Sequence, residues 1–185
     1  MSEHAKVGIA AGRLRARPRF RPFHVILVEP EIPPNTGNVA RLCAATGCVL
    51  HLVEPLGFQT DERAVRRAGL DYWHLVDVHQ HQSLDEAERV VQALRQRGDS
   101  HRSWLFSGKA RRSYWQAPVE PGDALVFGRE SVGLPEGLLE QRADAVVGLP
   151  TLGEVRSLNL ANAVAIAVYD GLKRCGLLEV DPTRR

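Results

Sequence analysis

The chain has 185 residues, 44% hydrophobic and 25% charged, with a formal net charge of +2. That length suits one domain with a real core, and the composition is ordinary for a globular protein. No apolar run approaches the ~20 residues of a membrane span, and MSEHAKVGIAAGRLRARPRFRP is too weakly apolar for a secretory signal, so a cytoplasmic protein is expected.

Residues 1–22 hold Lys6, Arg13, Arg15, Arg17, Arg19 and Arg21 against Glu3, a net +5, which leaves the rest at −3. Such a basic arm helps hold nucleic acid, or is a disordered leader, or reflects a wrongly assigned start codon. A strand is expected at Phe23–Val28, then the turn-rich EPEIPPNTGN, then a helix through Val39–Thr46 with Val39, Leu42, Cys43 and Thr46 on one face. Gly47 stops that helix, and Val49–Val53 reads as a second strand. A short helix over Asp61–Ala68 and an extended piece near His74–Val78 follow. Ser83–Arg97 has the pattern of an amphipathic helix, with Ser83 as N-cap and Glu86 completing a capping box.

Strands are expected at Ser103–Phe106 and Ala124–Phe127, separated by a long loop containing KARRSYWQAPVEPG. A helix over Glu136–Arg142, a strand at Ala145–Leu149 and a helix from about Leu158 finish the chain. Strands alternating with helices indicate one α/β domain with a mainly parallel sheet and a ligand site at strand C-terminal ends. Cys43, Cys48 and Cys175 are odd in number and lack disulfide-framework spacing. They read as reduced, partly buried thiols rather than zinc ligands, even with His79-x-His81 further along.

Three segments are too specific to be plain connections. In Asn35-Thr36-Gly37-Asn38-Val39-Ala40-Arg41, Asn35 or Thr36 can cap the helix after Pro33-Pro34. Asn38 and Arg41 project opposite the apolar face, and an arginine near a helix N-terminus suits a phosphate; a capped helix with a solvated arginine explains the same residues. Phe127-Gly128-Arg129-Glu130-Ser131-Val132-Gly133-Leu134-Pro135 follows a buried strand, its glycines allowing close backbone approach; a simple turn into the next helix is the alternative. The third, VRSLNLANAVAIAVY (155–169), puts Ser157, Asn159 and Asn162 at the mouth of an apolar helix.

Together, N-T-G-N-x-x-R, F-G-R-E-S-x-G-L-P and L-P…R-S-L-N-L-A-N-A-V resemble motifs 1, 2 and 3 of the SPOUT RNA methyltransferases, in order and in intervening length. The chain is most similar to the short TrmL branch, on VEPEIPPNTGNVARLCAATG (28–47) and RRAGLDYW (66–73). That branch methylates the ribose 2′-hydroxyl of the tRNA wobble nucleotide, position 34, a cytidine or carboxymethylaminomethyluridine of tRNA-Leu isoacceptors. The resemblance implies a parallel sheet flanked by helices with a C-terminal deep trefoil knot over 23–175, and a tail at 176–185. It implies S-adenosylmethionine as cofactor, S-adenosylhomocysteine as product, and a homodimer acting on tRNA without metal.

Carried over by position, the cofactor contacts are Phe106, Ser107, Gly128, Leu149 and Ser157, with Glu130, Gly133 and Leu158 beside them. Arg41 stands at the catalytic step, with Asn35 and Asn159 orienting it or holding the loops and Tyr169 near the substrate pocket or in dimer packing. Arg63, Arg66 and Arg67, and Arg111 and Arg112 beside Tyr114 and Trp115, are candidate RNA backbone and stacking contacts. The rival readings are a 2′-O-methyltransferase of another tRNA or rRNA nucleotide, and a non-catalytic RNA-binding relative.

Overall fold

The computed structural model describes residues 21–57, 73–96, 100 and 102–179. Its sheet is built on β1 (His24–Val28) and β2 (Val49–Val53), both buried at every position. Strands buried along their whole length have cover on both faces, as parallel strands do. β3 (Val78–His81), β4 (Ser103–Phe106), β5 (Ala124–Phe127) and β6 (Val146–Val147) complete a sheet of order β3-β2-β1-β5-β4-β6. Every pairing is parallel. The chain order reverses between β1 and β5, and an open α/β sheet binds its ligands beyond the carboxyl ends of strands at such a switch point.

Among the described residues, four helices cover the sheet. α1 (Pro33–Thr46) and α4 (Leu160–Arg174) bury Val39, Ala40, Cys43, Val164, Ala167 and Val168 against Val25, Leu27, Leu50 and Leu52. On the opposite face α2 (Leu84–Ala93) and α3 (Glu136–Gln141) cover Ile26, Val28, Val53 and Val126. No helix among the described residues is long and apolar enough to cross a membrane.

Several boundaries depart from expectation. α1 begins at Pro33 rather than Val39, with Ile32 at the N-cap and no side-chain cap. Proline lacks the N–H that a first turn leaves unpaired, so Pro33 and Pro34 start the helix themselves. Asn35 and Thr36 therefore sit inside the first turn and do not cap it. α2 keeps its expected box, Ser83 Oγ accepting from Glu86 N at 3.2 Å and Glu86 Oε2 from Gln82 N at 2.8 Å, but stops at Ala93. A 3₁₀ turn at Trp73–Leu75 precedes β3, so the strand expected near His74–Val78 lies further on. β6 shrinks to two residues because Ala143–Ala145 form another 3₁₀ turn. α4 starts at Leu160, with Asn159 rather than Ser157 as its cap. The helix expected over 61–68, Arg63, Arg66 and Arg67, the leader through Phe20 and the tail from Val180 lie outside the described residues.

A row of histidines crosses the α2 face of the sheet. His24 Nδ1 lies 2.9 Å from His51 Nε2, and His51 Nδ1 lies 2.9 Å from His81 Nε2, all three rings being buried. His79 instead pairs with Asp77 at 2.9 Å. The nitrogens meet in pairs, and among the described residues no set of three side chains is arranged to hold a metal. Cys43 and Cys48 are free and fully buried; burial raises both thiols, Cys48 to about 11, which keeps them protonated.

Candidate active site

The loops leaving β1 and β5 at the switch point are tied by reciprocal contacts. Glu29 follows β1 with φ 52°, a left-handed conformation costly for a residue with a Cβ, and its carboxylate pairs with Arg129. Glu31 Oε2 and Oε1 accept from Ser131 N at 3.0 Å and Ser131 Oγ at 2.9 Å. Glu130 returns the contact, accepting from Glu31 N at 2.8 Å and Ile32 N at 3.3 Å. The chain entering α1 is thus held by the loop after β5.

Glu130 also begins a directional relay through the first and third motifs. Its Oε1 accepts from Asn35 Nδ2 at 3.0 Å, and Asn35 Oδ1 accepts from Asn159 Nδ2 at 3.0 Å. Asn159 Oδ1 then accepts from Ala161 N at 3.0 Å and Asn162 N at 3.3 Å, capping α4. A carboxylate can only accept, so Asn35 must turn its amide nitrogen to Glu130. That leaves its oxygen for Asn159, which must donate and keep its own oxygen for the helix. One charge therefore fixes both amide orientations. The carboxylate of Glu130, expected beside the cofactor, is turned toward the α1 entry.

The loop after β5 closes on itself. Gly133 N donates to Arg129 O at 2.9 Å, with Gly133 at φ 76°. A Cβ on Gly128 would lie 2.2 Å from Gly133 C and 2.3 Å from Leu134 N, so the returning backbone excludes any side chain there. The loops after β4 and β6 meet beside it. Ser107 N donates to Val147 O at 3.0 Å, Gly148 N to Arg112 O at 3.0 Å and Tyr114 N to Gly148 O at 2.9 Å. Phe106 stacks on Phe127 with ring centroids 4.3 Å apart, flooring this region with aromatic surface.

Residues 150–158 form an exposed strap across these loops, and Gly108 backs onto it, an added Cβ lying 3.2 Å from Arg156 O. The strap exposes Leu152, Val155 and Leu158, with Ser157 exposed between them and Leu149 half-buried at its root. Arg41 is exposed six residues beyond Asn35, on the same face of α1 as Asn38. Tyr169 is 47% exposed, on the face of α4 that carries Asn162 and Ile166. The structure thus joins Asn35, Glu130 and Asn159 directly, clusters Phe106, Ser107, Gly128, Gly133 and Leu149 at the strand ends, and leaves Arg41 and Tyr169 on helix faces. Sequence reasoning gave no role to Glu29, Glu31, Arg129 or Ser131; the signals were two acids directly after a strand and a second motif that contains Arg129 and Ser131.

The sequence model of the SpoU rRNA Methylase family matches residues 22–169. The chain belongs to this family. Its relatives include proteins named tRNA (cytidine(34)-2′-O)-methyltransferase. That of Acidovorax sp. is 46% identical over 157 residues, 84% of this chain and 94% of the relative. That of Saccharophagus degradans is 43% identical over 155 residues, 83% and 96% of the two chains. A solved structure described as giving insight into 2-OH methylation of C/U34 on tRNA superposes with TM-score 0.71 at 44% identity, covering 82% of this chain and 95% of that one. The AdoMet-bound rRNA methyltransferase of Sinorhizobium meliloti, at 22% identity and TM-score 0.68, shares the fold over 85% of this chain and 58% of its own.

Proposed function

We propose that this SpoU-family protein is an S-adenosylmethionine-dependent methyltransferase acting on the ribose 2′-hydroxyl of tRNA nucleotide 34. The observation that carries the reading is the bonded convergence of all three motifs, Asn35, Glu130 and Asn159, in a chain more than 40% identical to relatives of that name over most of both lengths.

The residues present fit the cofactor. Gly108 leaves room where the strap passes, and the strap's exposed leucines and valine offer apolar surface to an adenosyl group. Phe106, Ser107, Gly128, Leu149 and Ser157, with Gly133 and Leu158, are assigned to hold it, mainly through main-chain groups. Bound there, S-adenosylmethionine supplies an electrophilic methyl group. Arg41 is assigned to the acceptor side. A guanidinium stays protonated at neutral pH, so Arg41 grips the neighbouring phosphate and stabilises the oxygen as its proton leaves, rather than serving as base. Asn159 and Asn35 hold the first turns of α4 and α1, and so fix the helix that carries Arg41. Tyr169 lines the acceptor approach. Arg66 and Arg67 are assigned to the tRNA backbone.

The reading extends to a C-terminal trefoil knot, supported by the bonds that tie 107–114 to 147–148 beneath α4, to a homodimer, and to the cytoplasm, where tRNA is processed. Labelled S-adenosylmethionine incubated with unmodified tRNA and the protein gives alkali-resistant ribose methylation. Arg41→Ala lowers transfer by about 10²-fold or more while cofactor binding survives. Methylation of a base atom, or near-normal turnover by Arg41→Ala, contradicts the assignment.

A further inference from the structure

Trp115 is 46% exposed, although the turn that carries it is firmly built. Residues Tyr114–Gln116 form a 3₁₀ turn capped by Ser113, whose Oγ accepts from Trp115 N at 3.3 Å. Tyr114, expected as a stacking contact, is fully buried; its hydroxyl donates to Ala167 O at 2.9 Å and its ring lies 4.7 Å beneath the Arg174 guanidinium. Arg174 also donates to Ala117 O at 2.7 Å. The indole is therefore presented by backbone fixed to α4 and to Gly148, and little ordering entropy is left to lose when something covers it.

The segment that carries it has charge of one sign. Ser107–Gln116, SGKARRSYWQ, contains Lys109, Arg111 and Arg112 and no acid. Lys109 is paired with Glu136 at 3.0 Å. Arg112, expected to face RNA, donates to Gln116 O at 3.1 Å and lies 5.5 Å from the Trp104 ring centroid; carbonyls and an indole hold it without neutralising it. Arg111 is exposed and, among the described residues, has no carboxylate partner. An exposed aromatic four residues after an exposed guanidinium without a carboxylate partner matches the two halves of a nucleotide, base and phosphate. The same segment begins at Ser107 in the assigned cofactor cradle, so it borders the reaction centre.

We propose that Trp115 and Arg111 form an accessory RNA-binding surface, Trp115 stacking on an unpaired base of the substrate tRNA and Arg111 holding a backbone phosphate. This rests on the tRNA reading above. The test uses the full chain with unmodified tRNA. Trp115→Ala raises KM for tRNA about tenfold with kcat unchanged, as loss of one base stack implies, and Trp115→Phe recovers most of it. Arg111→Ala weakens binding and lowers the slope of log affinity against log salt by about one. Unchanged KM and salt slope in both variants overturn the proposal. So does a Trp115→Ala change in the sedimentation of the RNA-free protein, which assigns the indole to a second copy of the chain. If the wild-type protein transfers no methyl to tRNA, the functional reading fails, and filter retention of RNA by the same variants still decides this surface.

Discussion

Asn159 illustrates how much one side chain carries here. Its oxygen caps α4 and its nitrogen serves Asn35, so the two atoms have separable effects. Asn159→Ala removes both and costs about 1–2 kcal/mol in urea unfolding, from the lost cap and from the Asn35 oxygen left without its donor. Asn159→Asp keeps a good cap but sets a carboxylate against Asn35 Oδ1, and Asn35 cannot turn over without presenting its oxygen to Glu130. Its expected signature is stability closer to wild type with methyl transfer still impaired. Wild-type stability and wild-type transfer in Asn159→Asp would show that the cap alone matters. At this scale the sequence revealed the residue types but not their links. Asn35 read as a cap because its partner Glu130 lies 95 positions away and Pro33-Pro34 begin the helix unaided.

The elements differ in how plainly the sequence marks them. β1, β2, β4 and β5 are legible as apolar runs between turn residues, because strands buried on both faces need little else. β3 and β6 are edge strands of four and two residues, too short and too polar in neighbourhood for periodicity to place. The histidine row between β1, β2 and β3 is a property of register, invisible before pairing. Burial first, then the neighbouring His24, His81, His79 and Arg21 charges, push His51 down to about 2. Burial also lowers His81, with Glu86 opposing and His79 adding to the shift, while Asp77 is engaged by Arg21 at 2.8 Å and by His79. Unfolded histidine titrates near ~6.5. Folded values below that mean stability is complete above about pH 6.5 and is lost as pH falls through it, by about 1.4 kcal/mol per unit for each ring held neutral. Thermal melts should therefore be level from pH 7 to 8 and decline from 6.5 to 5, with a slope shallower by about one proton in His51→Asn. An unaltered slope in that variant would remove His51 from the account.

For the molecule as a whole, composition and strand alternation reached the α/β class, but the order β1-β5-β4 and the switch point between β1 and β5 depend on long-range pairing. The three motifs made the site legible through family resemblance, and the structure explains their company by bonding them to one another. α1 and α4 pack side by side; α1 exposes Asn38 and Arg41, and α4 exposes Ile166 and Tyr169. The proposed homodimer would cover Ile166 and Tyr169, two apolar side chains open to solvent. Sedimentation should give the mass of two chains, and Ile166→Glu should give one chain with transfer reduced. A wild-type monomer with full activity would refute the dimer. The most direct test of the central claim is to map the ribose methyl on a tRNA-Leu transcript after reaction with the protein and S-adenosylmethionine. The account predicts a single 2′-O-methyl group at nucleotide 34; methylation at another nucleotide, or none on tRNA, would contradict it.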